Sequence, residues 1–286
     1  MRVFLTGVSG HLGRCLATHL LKAGYQVLGS SRRPIALSGI DAIQLAIGDP
    51  VDPAIFTQTD TLIHLAHDFA PGAMDKNIAG TLAFQEAAAA AGVRQQIFVT
   101  SYSARPEAQS EYGRTKYRLE QHFQGPAAVL LRLGLVIGPG GLFARQRRML
   151  LRTPIVPLIG AGTSPVAVIA SSHVRLATET IIRNGLSGAY SLFYEPRPTQ
   201  KQYIQEIKKL AHQHVLFVSI APKLAVLAVS AARAVGLPID VDPGQIKALQ
   251  LNEASPWKSD LAALLPGHEH EFHLRYALRQ IDDCET

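Results

Sequence analysis

Thr6-Gly7-Val8-Ser9-Gly10-His11-Leu12-Gly13 stands between two segments of different periodicity. Before it, Arg2 to Leu5 is a short apolar run ending at Thr6, which reads as a strand. After it, residues 11–22 set Leu12, Leu16, Leu20 and Leu21 at helical spacing, and Gly24 supplies the stop. A strand passing into a helix through so tight a turn requires Gly7. Gly10 permits close approach of backbone to a diphosphate, and Gly13 lets the helix pack on the strand. A helix starting near His11 aims its unpaired amides and positive dipole end at the same point. Ser9, His11 and Leu12 are therefore read with the three glycines as a phosphate-binding turn.

The pattern continues outward. Tyr25 to Leu28 is a second strand, and an apolar stretch at Ile43 to Ile47 is a third, ending at Gly48-Asp49-Pro50. Thr61 to Ala66 is a fourth. The Ala-rich run 82–91 predicts a helix closed by Gly92. Gln96 to Thr100 and Ala128 to Arg132 are further strands, separated by a helix around Tyr112 to Phe123. Alternating strand and helix implies parallel crossovers, hence an α/β, doubly wound Rossmann sheet. After Gly138-Pro139-Gly140-Gly141 the rhythm weakens. The expected division is a dinucleotide-binding domain over 1–165, joined by a late strand near 188–193, and a smaller, mostly helical substrate lobe over 166–286.

Composition fits a globular protein: 286 residues, 47% of them hydrophobic. Cys15 and Cys284 lie at opposite ends and are expected as free thiols. Met1-Arg2-Val3-Phe4-Leu5 runs straight into the turn, so no signal peptide and a cytoplasmic location are expected. The net charge of +6 raises the question of anionic partners. The densest basic cluster is Arg145, Arg147, Arg148 and Arg152 without a nucleic-acid module, so nucleic acid is not expected. Residues 221–237 are strongly apolar but carry Lys223 and Arg233, too closely spaced for the ~20 apolar residues of a bilayer span. A buried or interface helix is expected there, not an integral membrane segment.

Ser30-Ser31-Arg32-Arg33 follows the second strand, where an acidic residue would accept bonds from a free ribose 2′-hydroxyl. Arg32 and Arg33 instead suit a 2′-phosphate, so NADP(H) is expected over NAD(H). Tyr112-Gly113-Arg114-Thr115-Lys116 puts a phenol and an ammonium on one helical face. The cation favours the phenolate, so Tyr112 is expected to exchange its proton nearer neutral pH than a free tyrosine. Together, the turn and this pair suggest nicotinamide chemistry.

In order along residues 1–175, these motifs resemble an extended short-chain dehydrogenase/reductase of the NAD-dependent epimerase/dehydratase group. The resemblance rests on the T-G-x-x-G-x-x-G turn, Gly48-Asp49, His64-Leu65-Ala66, and Asn77-Ile78-Ala79-Gly80-Thr81. It continues through Phe98-Val99-Thr100-Ser101, the Tyr112/Lys116 pair, and Leu131-Arg132 leading to Gly138-Pro139-Gly140. It implies that Asp49 meets the adenine amino group and that Leu65 and Ala66 pass beside the riboses. It also implies that Lys116 bonds the nicotinamide ribose, that Tyr112 is the general acid/base, and that a homodimer would be ordinary.

One departure stands out. The family commonly reads T-S-S or S-S-S after the fifth strand, with the last Ser catalytic. Here Thr100-Ser101-Tyr102-Ser103 puts Tyr102 at that position. Either Ser101 or Ser103 serves after a small loop shift, or Tyr102 itself donates. The absence of Thr-Asp-Glu at this point argues against a dehydratase. His268-Glu269-His270-Glu271-Phe272-His273 invites a metal reading, but the resemblance requires no metal and none is expected.

The sequence therefore predicts an NADP(H)-dependent oxidoreductase or epimerase acting on a carbonyl or secondary alcohol of a small molecule, a nucleotide sugar among the candidates. The alternative is a non-catalytic NADP(H)-binding sensor or assembly subunit.

Overall fold

The structure, a computed structural model, describes residues 1–234, 256–268 and 271–279. Seven parallel strands form the central sheet: β1 (Arg2–Thr6), β2 (Gln26–Ser31), β3 (Ile40–Gln44), β4 (Thr61–His64), β5 (Gln95–Ser101), β6 (Ala128–Leu133) and β10 (Gly188–Leu192). Their spatial order is β10-β6-β5-β4-β1-β2-β3. The order reverses between β1 and β4, so a crevice opens outside the carboxyl ends of those two strands.

Strands β1, β4 and β5 each feed a covering α-helix, whereas no α-helix joins β2 to β3 or β3 to β4. On one face α1 (His11–Lys22) and α5 (Ser171–Arg183) lie together, joined by a 2.7 Å contact of His19 with Glu179. On the other lie α2 (Met74–Ala90) and α3 (Glu111–Glu120). The alternation of β1 explains the layers: Val3 and Leu5 enter the main core, whereas Phe4 joins Phe56, Leu62 and Phe84 on the opposite face. The main core also takes in Val168, Ile181 and Leu192, as well as Leu261, Leu274 and Ala277.

Between β6 and β10 the chain makes an excursion. It runs through β7 (Leu135–Ile137), α4 (Gly141–Leu151), β8 (Ile155–Ile159) and β9 (Val168–Ala170). Later come α6 (Gln200–Leu210), β11 (Leu216–Ile220), α7 (Pro222–Ala234), α8 (Leu261–Leu264) and α9 (Leu274–Arg279). Strands β7 and β9 pair in parallel, as do β8 and β11.

Several expected boundaries moved: the second strand runs on to Ser31 instead of ending at Leu28, and the fourth ends at His64 instead of Ala66. The third strand is Ile40–Gln44, not Ile43 to Ile47, because Val27 pairs with Ile40 and sets the register. Leu45 and Ile47 leave the sheet, Leu45 packing against the Phe4 cluster and Ile47 lying against Gly80 of α2. Helix α2 starts at Met74, upstream of the Ala-rich run, and ends as expected before Gly92, whose φ is +77°.

No helix among the described residues is long and apolar enough to cross a membrane. Residues 235–237 of the apolar segment lie outside the described residues. Cys15 is buried and forms no disulfide among the described residues, and Cys284 also lies outside them.

Candidate active site

The glycine turn is built by close packing. Gly7 has φ +68°, and a Cβ there would lie 3.0 Å from the Ala66 Cα. A Cβ on Gly13 would stand 2.4 Å from the Gly7 carbonyl oxygen and 2.9 Å from the Val8 Cα, so α1 can start here only with glycine. Gly10 differs: its Cβ would meet just one atom, the Gly7 carbonyl oxygen at 3.2 Å, leaving the space in front of it open. No side chain caps α1 at Gly10, so its first amides are available to an anion. Open approach and uncapped amides fit a dinucleotide diphosphate.

The β4 loop is tied to this turn. The amides of Leu65 and Ala66 each donate to Thr6 Oγ1 at 3.0 Å. Thr6 Oγ1 also lies 3.1 Å from Nδ1 of the fully buried His64, whose Nε2 is 3.0 Å from Thr81 Oγ1 on α2. Burial pushes His64 down to about 3, so the ring is neutral and the network carries no buried charge. Asn77 closes the far side, accepting from the Asp68 amide at 2.7 Å and donating to its carbonyl at 2.8 Å.

At the end of β2, Ser31 donates to Ser9 Oγ at 2.8 Å, and Arg32 and Arg33 are exposed. Asp49 is also exposed; one carboxylate oxygen accepts from the Ala46 amide at 2.7 Å, holding its own turn.

Ser110 caps α3, accepting from the Gly113 amide at 3.1 Å. A Cβ on Gly113 would lie 2.8 Å from the Ser103 carbonyl oxygen, so this glycine lets the first turn of α3 settle against the β5 loop. Tyr112 is thereby brought into hydrogen-bonding contact with Ser101. Ser101 Oγ lies 2.9 Å from Ser103 Oγ. One turn on, Lys116 is 3% exposed, and its Nζ donates to the Val99 carbonyl at 2.9 Å. The ammonium lies 4.6 Å from the Phe98 ring centroid and 5.9 Å from that of Tyr112.

The expected lowering of the phenol does not occur in this arrangement. Burial pushes Tyr112 up to about 12, opposed by the Ser101 hydrogen bond. Burial likewise brings Lys116 down to about 7, opposed by Glu120. Lys116 is buried and Tyr112 half-buried, and the ammonium is held at a backbone carbonyl, so desolvation outweighs the stabilisation of a phenolate by the cation.

Tyr102 does not join this cluster. Strand β5 ends at Ser101 and the chain turns there, the Ala104 amide donating to the Ser101 carbonyl at 2.8 Å, which leaves the Ser101 and Ser103 hydroxyls together while Tyr102 contacts other residues. Its hydroxyl accepts from Arg197, and its ring packs edge-on against Phe193 at 5.2 Å. Sequence reasoning missed His67 and Phe69. The His67 ring stands perpendicular to Tyr112 at 5.0 Å, and Phe69 stacks on Tyr112 at 5.7 Å while 78% exposed. Burial, and then the Lys116 charge, push His67 down to about 3, so this neighbour is neutral. The run of rings after the fourth strand, His64 to Phe69, was the available signal.

Among the described residues no group of three His, Cys, Asp or Glu could hold a metal ion. His268 and His273 are described, whereas Glu269 and His270 lie outside the described residues.

Residues 3–159 match the family model described as "NAD dependent epimerase/dehydratase family". The chain belongs to that family. It is an enzyme of the short-chain dehydrogenase/reductase type, with a nicotinamide dinucleotide cofactor. An uncharacterized protein of Saccharomyces cerevisiae, YLL056C, is 37% identical over 79 residues, covering 24% of this chain and 26% of that protein. The match thus spans about a quarter of that relative's length.

Among solved structures, a nucleoside-diphosphate-sugar epimerase from Staphylococcus aureus shares the fold over 100% of both chains, with TM-score 0.76 at 14% identity. The UDP-glucose 4-epimerase of Thermotoga maritima, solved with UDP-glucose, covers 89% of this chain and 98% of its own, with TM-score 0.65 at 19% identity. MoeE5, solved with UDP-glucose and NAD, covers 77% of this chain and 85% of its own, with TM-score 0.66 at 22% identity.

Proposed function

We propose that the protein is an NADP(H)-dependent oxidoreductase or epimerase acting at a carbonyl or secondary alcohol through Tyr112 and Lys116. The observation that carries this reading is the contact of the Tyr112 phenol with Ser101, with Ser103 beyond it and Lys116 one helical turn away. The bound nicotinamide supplies or accepts the hydride. Tyr112 Oη gives a proton to the substrate oxygen during reduction and takes it back during oxidation. A phenol that rests protonated is a ready acid. Ser101 holds the substrate oxygen beside the phenol, and Ser103 orients the Ser101 hydroxyl. Lys116, in its ammonium form, stabilises the phenolate left after transfer and binds the ribose next to it.

The dinucleotide is assigned to the turn of Gly7, Ser9, Gly10, His11, Leu12 and Gly13, with Leu65 and Ala66 beside the riboses and Asp49 at the adenine. Exposed Arg32 and Arg33, with no carboxylate at the end of β2, support NADP(H) in particular. Fold neighbours solved with UDP-sugars support a nucleotide sugar as one candidate substrate class. The Tyr112→Phe variant keeps the ring and its stacking but loses the proton. Steady-state turnover should fall about a hundredfold or more, the range typical of general acid/base groups, while cofactor affinity by fluorescence titration stays within about threefold. Turnover equal to wild type would sink the assignment.

A further inference from the structure

The end of α4 borders a cleft of 590 Å³ into which Arg147, Arg148 and Arg152 project. That size lies within the ~300–1,000 Å³ usual for small-molecule sites. Phe143, Leu151 and Leu278 give it an apolar floor, and among the described residues no acidic one contributes to its wall. All three arginines are exposed, and none makes an ion pair among the described residues. Cations near a helix C-terminus are favoured by the helix dipole, which explains a basic last turn. It does not explain three like charges bordering one concavity above an apolar floor.

The position is informative as well. Gly138 and Pro139 also line the cleft. The chain at Gly138 runs so close to the first residue of α1 that a Cβ there would come within 2.3 Å of His11 Nε2. The cleft therefore adjoins the dinucleotide turn.

We infer that this cleft holds the phosphoryl end of a phosphorylated ligand, with Arg147, Arg148 and Arg152 as its counter-charges and the apolar floor beneath the rest of the molecule. Guanidinium groups suit this task because each offers paired donors to phosphate oxygens. Calling that ligand the substrate rests on the hydride-transfer reading above; the binding itself does not.

The test is calorimetric titration of inorganic pyrophosphate, and separately of inorganic phosphate, into the full-length protein with saturating NADP⁺ present, so that the dinucleotide turn is filled. If the protein binds no dinucleotide, the earlier reading fails, and the same titration without cofactor still reports on the cleft. One saturable site is expected. R148Q/R152Q should weaken it about tenfold or more, consistent with loss of charge-assisted hydrogen bonds. R148K/R152K, which keeps the charge, should retain binding to within about tenfold, and tighter binding of pyrophosphate than of phosphate would assign a diphosphate. Arg145 lies on the same helix, equally exposed but outside the cleft wall, so R145Q removes the same charge as a control. Equal weakening by R145Q, or no saturable binding to wild type, would overturn the inference.

Discussion

Lys116 shows how one side chain can be tuned by enclosure. Its ordinary pKa of 10.5 falls to about 7, chiefly because burial removes water from the ammonium. Between those values the unfolded chain holds a proton that the native chain has released. Stability contributed by this group is therefore fully present above about 10.5 and is lost as pH falls toward 7. Lys116→Met removes the titration. Relative to wild type, the variant should have its largest advantage near pH 7, narrowing by at most ~1.4 kcal/mol per pH unit toward pH 9. Urea denaturation at several pH values measures the gap. A gap that stays constant or widens as pH rises would show that the ammonium is not desolvated. At this scale the sequence makes the Tyr112/Lys116 pair legible because i,i+4 spacing is local. The Ser101 contact, the turning away of Tyr102 and the rings of His67 and Phe69 depend on how separate loops meet, which spacing alone does not carry.

Helix α2 illustrates the scale of elements. Its Ala-rich half is legible from propensity, but its true start at Met74 is set by Asn77 bonding the β4 loop and by Gly80 lying against the turn before Asp49. A Cβ on Gly80 would stand 2.6 Å from the Gly48 nitrogen and 2.6 Å from Ile47 Cγ1. In an exposed helix Gly→Ala gains up to ~1 kcal/mol. Here the sign reverses: Gly80→Ala should destabilise by about 1–3 kcal/mol, because the added methyl overpacks helix against backbone. Chemical denaturation measures this, and a stabilised variant would refute the close packing. The same contact accounts for the misplaced third strand. Its apolar residues belong to the interface with α2, and an apolar run alone does not say whether it packs in a sheet or beneath a helix.

At the scale of the whole molecule, the parallel, doubly wound sheet is legible from the strand–helix alternation, whereas the spatial order of its seven strands is set by pairings the sequence pattern does not carry. The excursion between β7 and β9 was less legible because its short strands pair with distant partners rather than with their neighbours in sequence. A dinucleotide bound to the turn stabilises the native state by mass action, giving about 2.7 kcal/mol at a hundred times its Kd. NADP⁺ should therefore raise the melting temperature more than NAD⁺ at equal concentration. Desalting should reverse the rise, and Arg32→Ala with Arg33→Ala should shrink the difference. An equal or larger rise with NAD⁺ would defeat the NADP(H) preference.

The late arrival of β10 carries one more consequence. Strand β6 ends at Leu133, but its outer neighbour begins only at Gly188. As the chain leaves the ribosome at roughly 5–20 residues per second, the outer hydrogen-bonding edge of β6 waits for several seconds without its native neighbour. During vectorial synthesis that edge is a template for mispairing, and the sheet closes only after the whole excursion has emerged.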